Sequence, residues 1–323
     1  MRRVMLLVTA IGVALLLASG AVMAAPIGML KQYRVPTAGS SPKHITQASD
    51  GNFWFTESFV NDQNATPHKV GRITPTGQVT EFNVCDFCFP NDIVQGSDGI
   101  LYFTKNDASL GRITTDGTVL PDIPAVFSSN GNGLDAHADD IWFADSNNAV
   151  IHRYNVQTGG FSEFVTTSPT FDVAVAPNGI VWFTDANGQI GRLDPTTGGV
   201  TEIDVEGFPR EINIASDGAV WFTERFAPQA VGRINPVPNP TPNDVRLFPV
   251  DGGPEDIAPA TDGSMWFTRS TAGNIARITP AGVITTQSKA VKGSEPFGIT
   301  VASDGNPWFT MLSADKIATF QLR

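Results

Sequence analysis

Cysteine, positive charge and long apolar stretches are all scarce in this chain of 323 residues. Only two cysteines are present, Cys85 and Cys88, which excludes a small scaffold held by several disulfides. A chain of this length buries enough core to do without them. Charged residues make up 16% of the sequence, too few for a coiled coil or a disordered charged tail. Lysine and arginine number 21 against 32 aspartates and glutamates, a net charge of −11, and the bases never gather into a stripe. A nucleic acid is therefore not an expected partner. No Gly-x-Ser-x-Gly elbow, phosphate loop or dinucleotide fingerprint occurs, so none of those chemistries is indicated.

The one long apolar run opens the chain. Arg2 and Arg3 precede Val4 to Ala18, and Val22-Met23-Ala24 sets small residues before Ala25. This is the pattern of an export signal, residues 1–24, cleaved to leave residues 25–323 as a single domain. No cysteine follows to carry a lipid anchor, and no later stretch would span a bilayer. A secreted or periplasmic protein is expected, not attached to a membrane after cleavage.

Glycine and proline are plentiful, 31 and 23, and they punctuate a repeat. An aromatic pair and a small residue recur at Trp54-Phe55-Thr56, Tyr102-Phe103-Thr104, Trp142-Phe143-Ala144, Trp182-Phe183-Thr184, Trp221-Phe222-Thr223, Trp266-Phe267-Thr268 and Trp308-Phe309-Thr310. A turn dipeptide such as Asp50-Gly51 or Asn178-Gly179 precedes each pair except the third, which has Asp139-Asp140. These favour tight hairpins. A strand of the type Val70-Gly71-Arg72-Ile73 follows in six copies, and the seventh, Ile317-Ala318-Thr319-Phe320, lacks the arginine. A second turn and a further alternating strand complete the unit. Four short antiparallel strands at a period near 40 residues define a β-propeller blade, and seven units predict an all-β, seven-bladed propeller. The last unit has only three strands. Leu30 to Pro36 supplies the missing outer one, which closes the ring and covers an otherwise open edge. The repeated arginines are expected to tie neighbouring blades together.

A closed ring needs no second subunit, and a monomer is expected. Its ligand chemistry should lie in loops on one face. The segments leading into each first strand bring Lys43, His44, Asp92, Asp172, Arg210, Glu211, Glu255, Asp256, Glu295 and Phe297 toward one axis, joined by Arg269 from a return loop. Convergent carboxylates can hold Mg²⁺ or Ca²⁺, or raise one another's pKa for acid–base work. They can equally pair with the interspersed bases and backbone amides, the simpler reading for any single acid. For the ring as a whole a ligand role is expected, with a small molecule, peptide or glycan as partner.

Cys85 and Cys88 have no helix or βαβ pattern around them, so a local disulfide stiffening a loop is expected. Two cysteines make no zinc site unless histidines join them. His68, His137 and His152 fall on separate blades, which argues against one.

The recurring order of proline-x-x-isoleucine, Asp-Gly, Trp-Phe-Thr, isoleucine-Gly-Arg-Ile-Thr and Val-Thr-Glu-Phe resembles the virginiamycin B lyase (streptogramin lyase) family over essentially the whole mature chain. The resemblance implies a seven-bladed propeller. In active members it implies elimination across the ester of a cyclic depsipeptide antibiotic, with Mg²⁺ assisting. It also implies four functional positions: a histidine after the proline that leads into blade six, a glutamate and a histidine flanking the one that leads into blade seven, and a metal-linked glutamate after that blade's aromatic pair. Here these are Glu255, Glu295, Phe297 and Leu312. Only Glu295 matches, and phenylalanine and leucine neither take a proton nor bind magnesium. Two functions are therefore expected as alternatives: a binding propeller without catalysis, or a divergent carbon–oxygen lyase or lactonase using Glu255 or Glu295 as base.

Overall fold

The structure, a computed structural model, describes residues 28–58, 67–124, 131–287 and 291–322. The expected signal peptide lies outside them. Seven four-stranded antiparallel sheets follow one another around an axis. Blade one, for example, runs Pro42–Gln47, Phe53–Glu57, His68–Ile73 and Val79–Cys85, from the innermost strand to the outermost. The ring closes as expected. Gly28–Arg34 pairs with Lys316–Leu322, from Gly28 opposite Leu322 to Arg34 opposite Lys316, and becomes the outer strand of blade seven.

The aromatic pair explains why blades stack. In Phe53–Glu57 every residue is buried, because a strand inside a propeller is covered on both faces and its alternation no longer reports an exposed side. Trp54 faces blade two, packing with Ile93, Leu101 and Phe103, while Phe53 and Phe55 face blade seven and meet Trp308. Trp221 in the same way meets Ile257 and Phe267 of blade six. The core is thus a set of wedges between blades rather than one central mass.

The glycine-arginine element serves the same packing. Gly71 lies opposite Phe55 across the ladder, and a Cβ there would come within 2.1 Å of the Phe55 ring. The arginines are corrected: they act mostly within their own blade. Cross-strand pairing sets Arg72 opposite Trp54 and Arg233 opposite Trp221, and each guanidinium lies over its indole at 5.6 Å. Arg233 also bonds Asp217 at 2.9 Å, and Arg112 bonds the Pro121 carbonyl. Arg72 does reach across, to the Thr115 carbonyl of blade two at 3.1 Å.

The links between neighbouring inner strands come from the threonine after the aromatic pair. Thr56, Thr184, Thr268 and Thr310 donate their hydroxyls to the carbonyls of Asn91, Arg210, Phe297 and Lys43, each on the next blade, at 2.6–2.7 Å. The same oxygens accept an amide from their own inner strand, as from Asp172 to Thr184 at 3.2 Å. Blade three has Ala144 instead, and there Thr170 of blade four accepts the Asp145 amide at 3.0 Å. Valine has the shape of threonine without its hydroxyl, so Thr184→Val would leave a buried carbonyl and amide unpaired. A loss of about 2 kcal/mol is expected, measured by denaturant unfolding; an unchanged midpoint would show that the clamp contributes nothing.

Candidate functional site: the central channel and its rim

The innermost strands line an axial channel of about 220 Å³. His44, Asp92, Asp172, Glu211 and Asp256 meet there, together with Asp135 and Asn213, which the sequence reading did not single out. All but Asp92 belong to the first strand of a blade, and Asp92 immediately precedes one; each lies one position before or after its strand's central aliphatic residue. The positions before and after the aliphatic residue are two apart and so share one face of the strand, the face that meets the channel; a register shift lies near the start of six inner strands.

The carboxylates are committed to holding the ring. Asp92 accepts the amide of Ile93 at 2.7 Å and that of Leu134, on blade three, at 2.9 Å. Asp135 joins Ala136 to Val175 of blade four, both at 2.8 Å. Asp172 joins Val173 to Ile212 of blade five at 2.8 Å, and Asp256 joins Ile257 to Ile299 of blade seven at 2.7 Å. Asn213 continues the series by donating to the Ile257 carbonyl of blade six at 3.2 Å. Between blades one and two, His44 Nδ1 lies 3.1 Å from Asp92.

Burial sets the protonation of this ring. It raises Asp135 to about 6. With added repulsion from Glu211 it raises Asp256 to about 8 and Asp172 well above the usual carboxylate range. Burial alone would lower His44, but the charge and hydrogen bond of Asp92 prevail and raise it to about 9.

The rim carries cations over aromatic rings. Lys43 lies 5.2 Å above the Phe297 ring, and its ammonium, lowered by burial, bonds the Asn91 side chain. The His44 and Phe297 rings are 5.3 Å apart, and Arg210 covers Phe171 at 4.2 Å. Glu255 is 3% exposed, with Arg225 Nη1 at 3.0 Å from both its oxygens; burial, opposed by Arg225, raises it to about 6.

Two of the expected mouth residues are elsewhere. Arg269 turns away from the axis to bond Asp251 and Thr286, beside a separate apolar cleft between blades five and six. Glu295 is exposed, lies outside the channel lining and accepts the Ser313 hydroxyl of its own blade. Its backbone is left-handed, φ 46°. The other return positions end the second strands and are buried. Asp145 and Asp185 cap the turns that follow, accepting amides such as Asn147 and Gln189. Glu224, one methylene longer, overshoots such a cap. Both its oxygens are buried without a partner and abut Gly207, and burial raises it to about 7.

A folded state that holds protons the unfolded chain has released loses stability as pH rises. The raised carboxyls therefore weaken the fold from about pH 4 upward, and the His44 contribution, full below its ordinary 6.5, is lost as pH passes about 9. Asp116, Asp194 and Asp262, lowered by their hydrogen bonds against any desolvation, act oppositely below the carboxylate range. Lys43 and His152, both lowered by burial, oppose that weakening as pH rises toward their ordinary values. The raised carboxyls outnumber them, so the melting temperature should peak under mildly acidic conditions and fall toward pH 8. Glu224→Gln should remove the part of that fall between 4.5 and 7, adding on the order of 2 kcal/mol at pH 8. A variant less stable than the parent at pH 8 would contradict this.

The fold and the channel define a seven-bladed propeller with a polar axial mouth. The family model of virginiamycin B lyase matches residues 23–166 and 238–323, and the chain belongs to that family. Among solved structures, a streptogramin B lyase is 26% identical, with a TM-score of 0.80, covering 92% of this chain and 98% of its own. A catalytically inactive virginiamycin B lyase variant from Staphylococcus aureus, determined with quinupristin, is 25% identical with the same TM-score, covering 92% of this chain and all of its own. A chain of the mitotic checkpoint complex, 9% identical at a TM-score of 0.75, shares the fold alone. No curated protein sequence is matched.

Proposed function

We propose that this protein is an exported member of the family that binds an extracellular small molecule, peptide or glycan at the channel rim without performing the lyase reaction. The observation that carries this reading is Phe297, seated at the rim between the His44 ring and the Lys43 ammonium. The family resemblance calls for a histidine at this position. The neighbouring positions support it. Leu312 is 8% exposed and apolar, so it offers no metal ligand. Glu255 is held by Arg225, and Glu295 is turned to Ser313. These four side chains do not form a magnesium site, and no step is assigned to the metal. Asp92, Asp172 and Asp256 in the channel already accept two backbone amides each, which supports the same reading.

What remains for recognition is the rim. Lys43 and Arg210, each over an aromatic ring, offer cationic and apolar surface together. Quinupristin is a suitable probe because the relative determined with it is built on the same propeller. Calorimetry with Mg²⁺ present should show no heat of turnover, and mass spectrometry no ring-opened product. Any binding should weaken about tenfold on Arg210→Ala, the loss of one well-placed cation–aromatic contact and its charge. Mg²⁺-dependent ring opening abolished by Glu295→Gln would replace the binding reading with the lyase one.

A further inference from the structure

We propose that, once the Cys85–Cys88 disulfide is reduced, its two thiolates and the imidazole of His68 form a three-ligand site for a divalent ion of the zinc class. The expectation that no histidine joins the cysteines is overturned by strand register. His68 opens the third strand of blade one and Cys85 ends the fourth, and the two are cross-strand partners. Cys88 returns beside them through the disulfide, with Cα atoms 5.9 Å apart. One ligand atom from each of the three lies within 4.8 Å of the other two. Two sulfurs and one nitrogen suit zinc and its heavier relative cadmium, and leave a fourth position for water.

The site is shaped before any ion arrives. His68 is fully buried and Cys88 is 1% exposed, whereas Cys85 is half-buried and gives an ion its way in. The Phe87 and Phe89 rings meet the imidazole edge-on, at 6.2 and 4.4 Å. The Phe89 amide donates to His68 Nδ1 at 2.8 Å, which fixes the ring further. That hydrogen bond has a consequence for loading. An ion at Nδ1 displaces the amide directly, while an ion at Nε2 puts the remaining imidazole proton on Nδ1, facing the amide. Either way the Phe89 amide must let go, and reduction releases the adjoining Cys88 to allow it. Disulfide and metal are then alternative fastenings of one loop.

The chemistry balances simply. A phosphine and water supply two electrons and two protons, the phosphine being oxidised to its oxide, which leaves Cys85 and Cys88 as thiols. The ion takes both sulfurs as thiolates and releases the two protons.

Cadmium titration of the phosphine-reduced protein, followed by thiolate-to-metal charge-transfer absorbance, should give one ion per chain, displaceable by zinc. The oxidised protein should give none. His68→Asn should weaken the reduced protein's affinity at least about tenfold, since even outer partners of metal ligands matter by that much. Should His68→Asn fail to fold, X-ray absorption of the zinc-loaded wild type answers the same question, with two sulfurs and one nitrogen expected, and the Phe89 amide resonance should shift on loading. Equal binding by reduced and oxidised protein, or a metal spectrum with sulfur but no nitrogen, overturns the proposal. None of these readouts depends on what the channel rim binds.

Discussion

Seven wedges that converge on an axis must satisfy their backbone amides and carbonyls where there is least room for water, and the molecule is arranged around that constraint. Unpaired polar groups at the inner edge would each cost as much as a deleted contact in the hydrophobic wedges. The threonine hydroxyls solve half of it by donating to the next blade while accepting an amide from their own inner strand. Side chains at the channel solve the rest, with Asp92, Asp135, Asp172, Asn213 and Asp256 each reaching one blade onward. The aromatic wedges give the ring its bulk; these polar links give it register.

That division of labour decides how the acidic axis should be understood. A cluster of carboxylates invites a metal, but Asp92, Asp135, Asp172 and Asp256 each accept two backbone amides, and burial keeps Asp172 and Asp256 inclined to hold a proton. Charge able to meet a ligand lies one layer out, on Lys43 and Arg210. Catalytic capacity in such a scaffold is decided by a few rim side chains, which can change while every wedge stays intact.

Much of this was legible in the sequence. The repeat of aromatic pair, glycine-arginine strand and turn gave seven blades directly, and the three-stranded last unit pointed to Leu30 to Pro36 as its completion. His44, Asp92, Asp172, Glu211 and Asp256, expected near one axis because each just precedes the aliphatic residue of a first strand, line the channel. Asp135 and Asn213 escaped notice since they follow the aliphatic residue rather than precede it, although a strand's period of two puts both positions on the same face. Arg269 and Glu295 were misplaced for a related reason: a position in the repeat fixes the backbone, whereas side-chain direction depends on local partners such as Asp251 and Ser313. His68 and Cys85 are 17 residues apart in sequence, and their meeting depends on a pairing register that no motif recorded.

The closure of the ring by Gly28–Arg34 against Lys316–Leu322 joins the first and last strands of the described residues in a single sheet. Gly28–Arg34 must wait for Lys316–Leu322 before blade seven is complete, a pairing of very long sequence separation. Loss of either strand therefore strikes the same blade, and a chain that lacks one of them can hold six blades' worth of sequence and still have no finished circle.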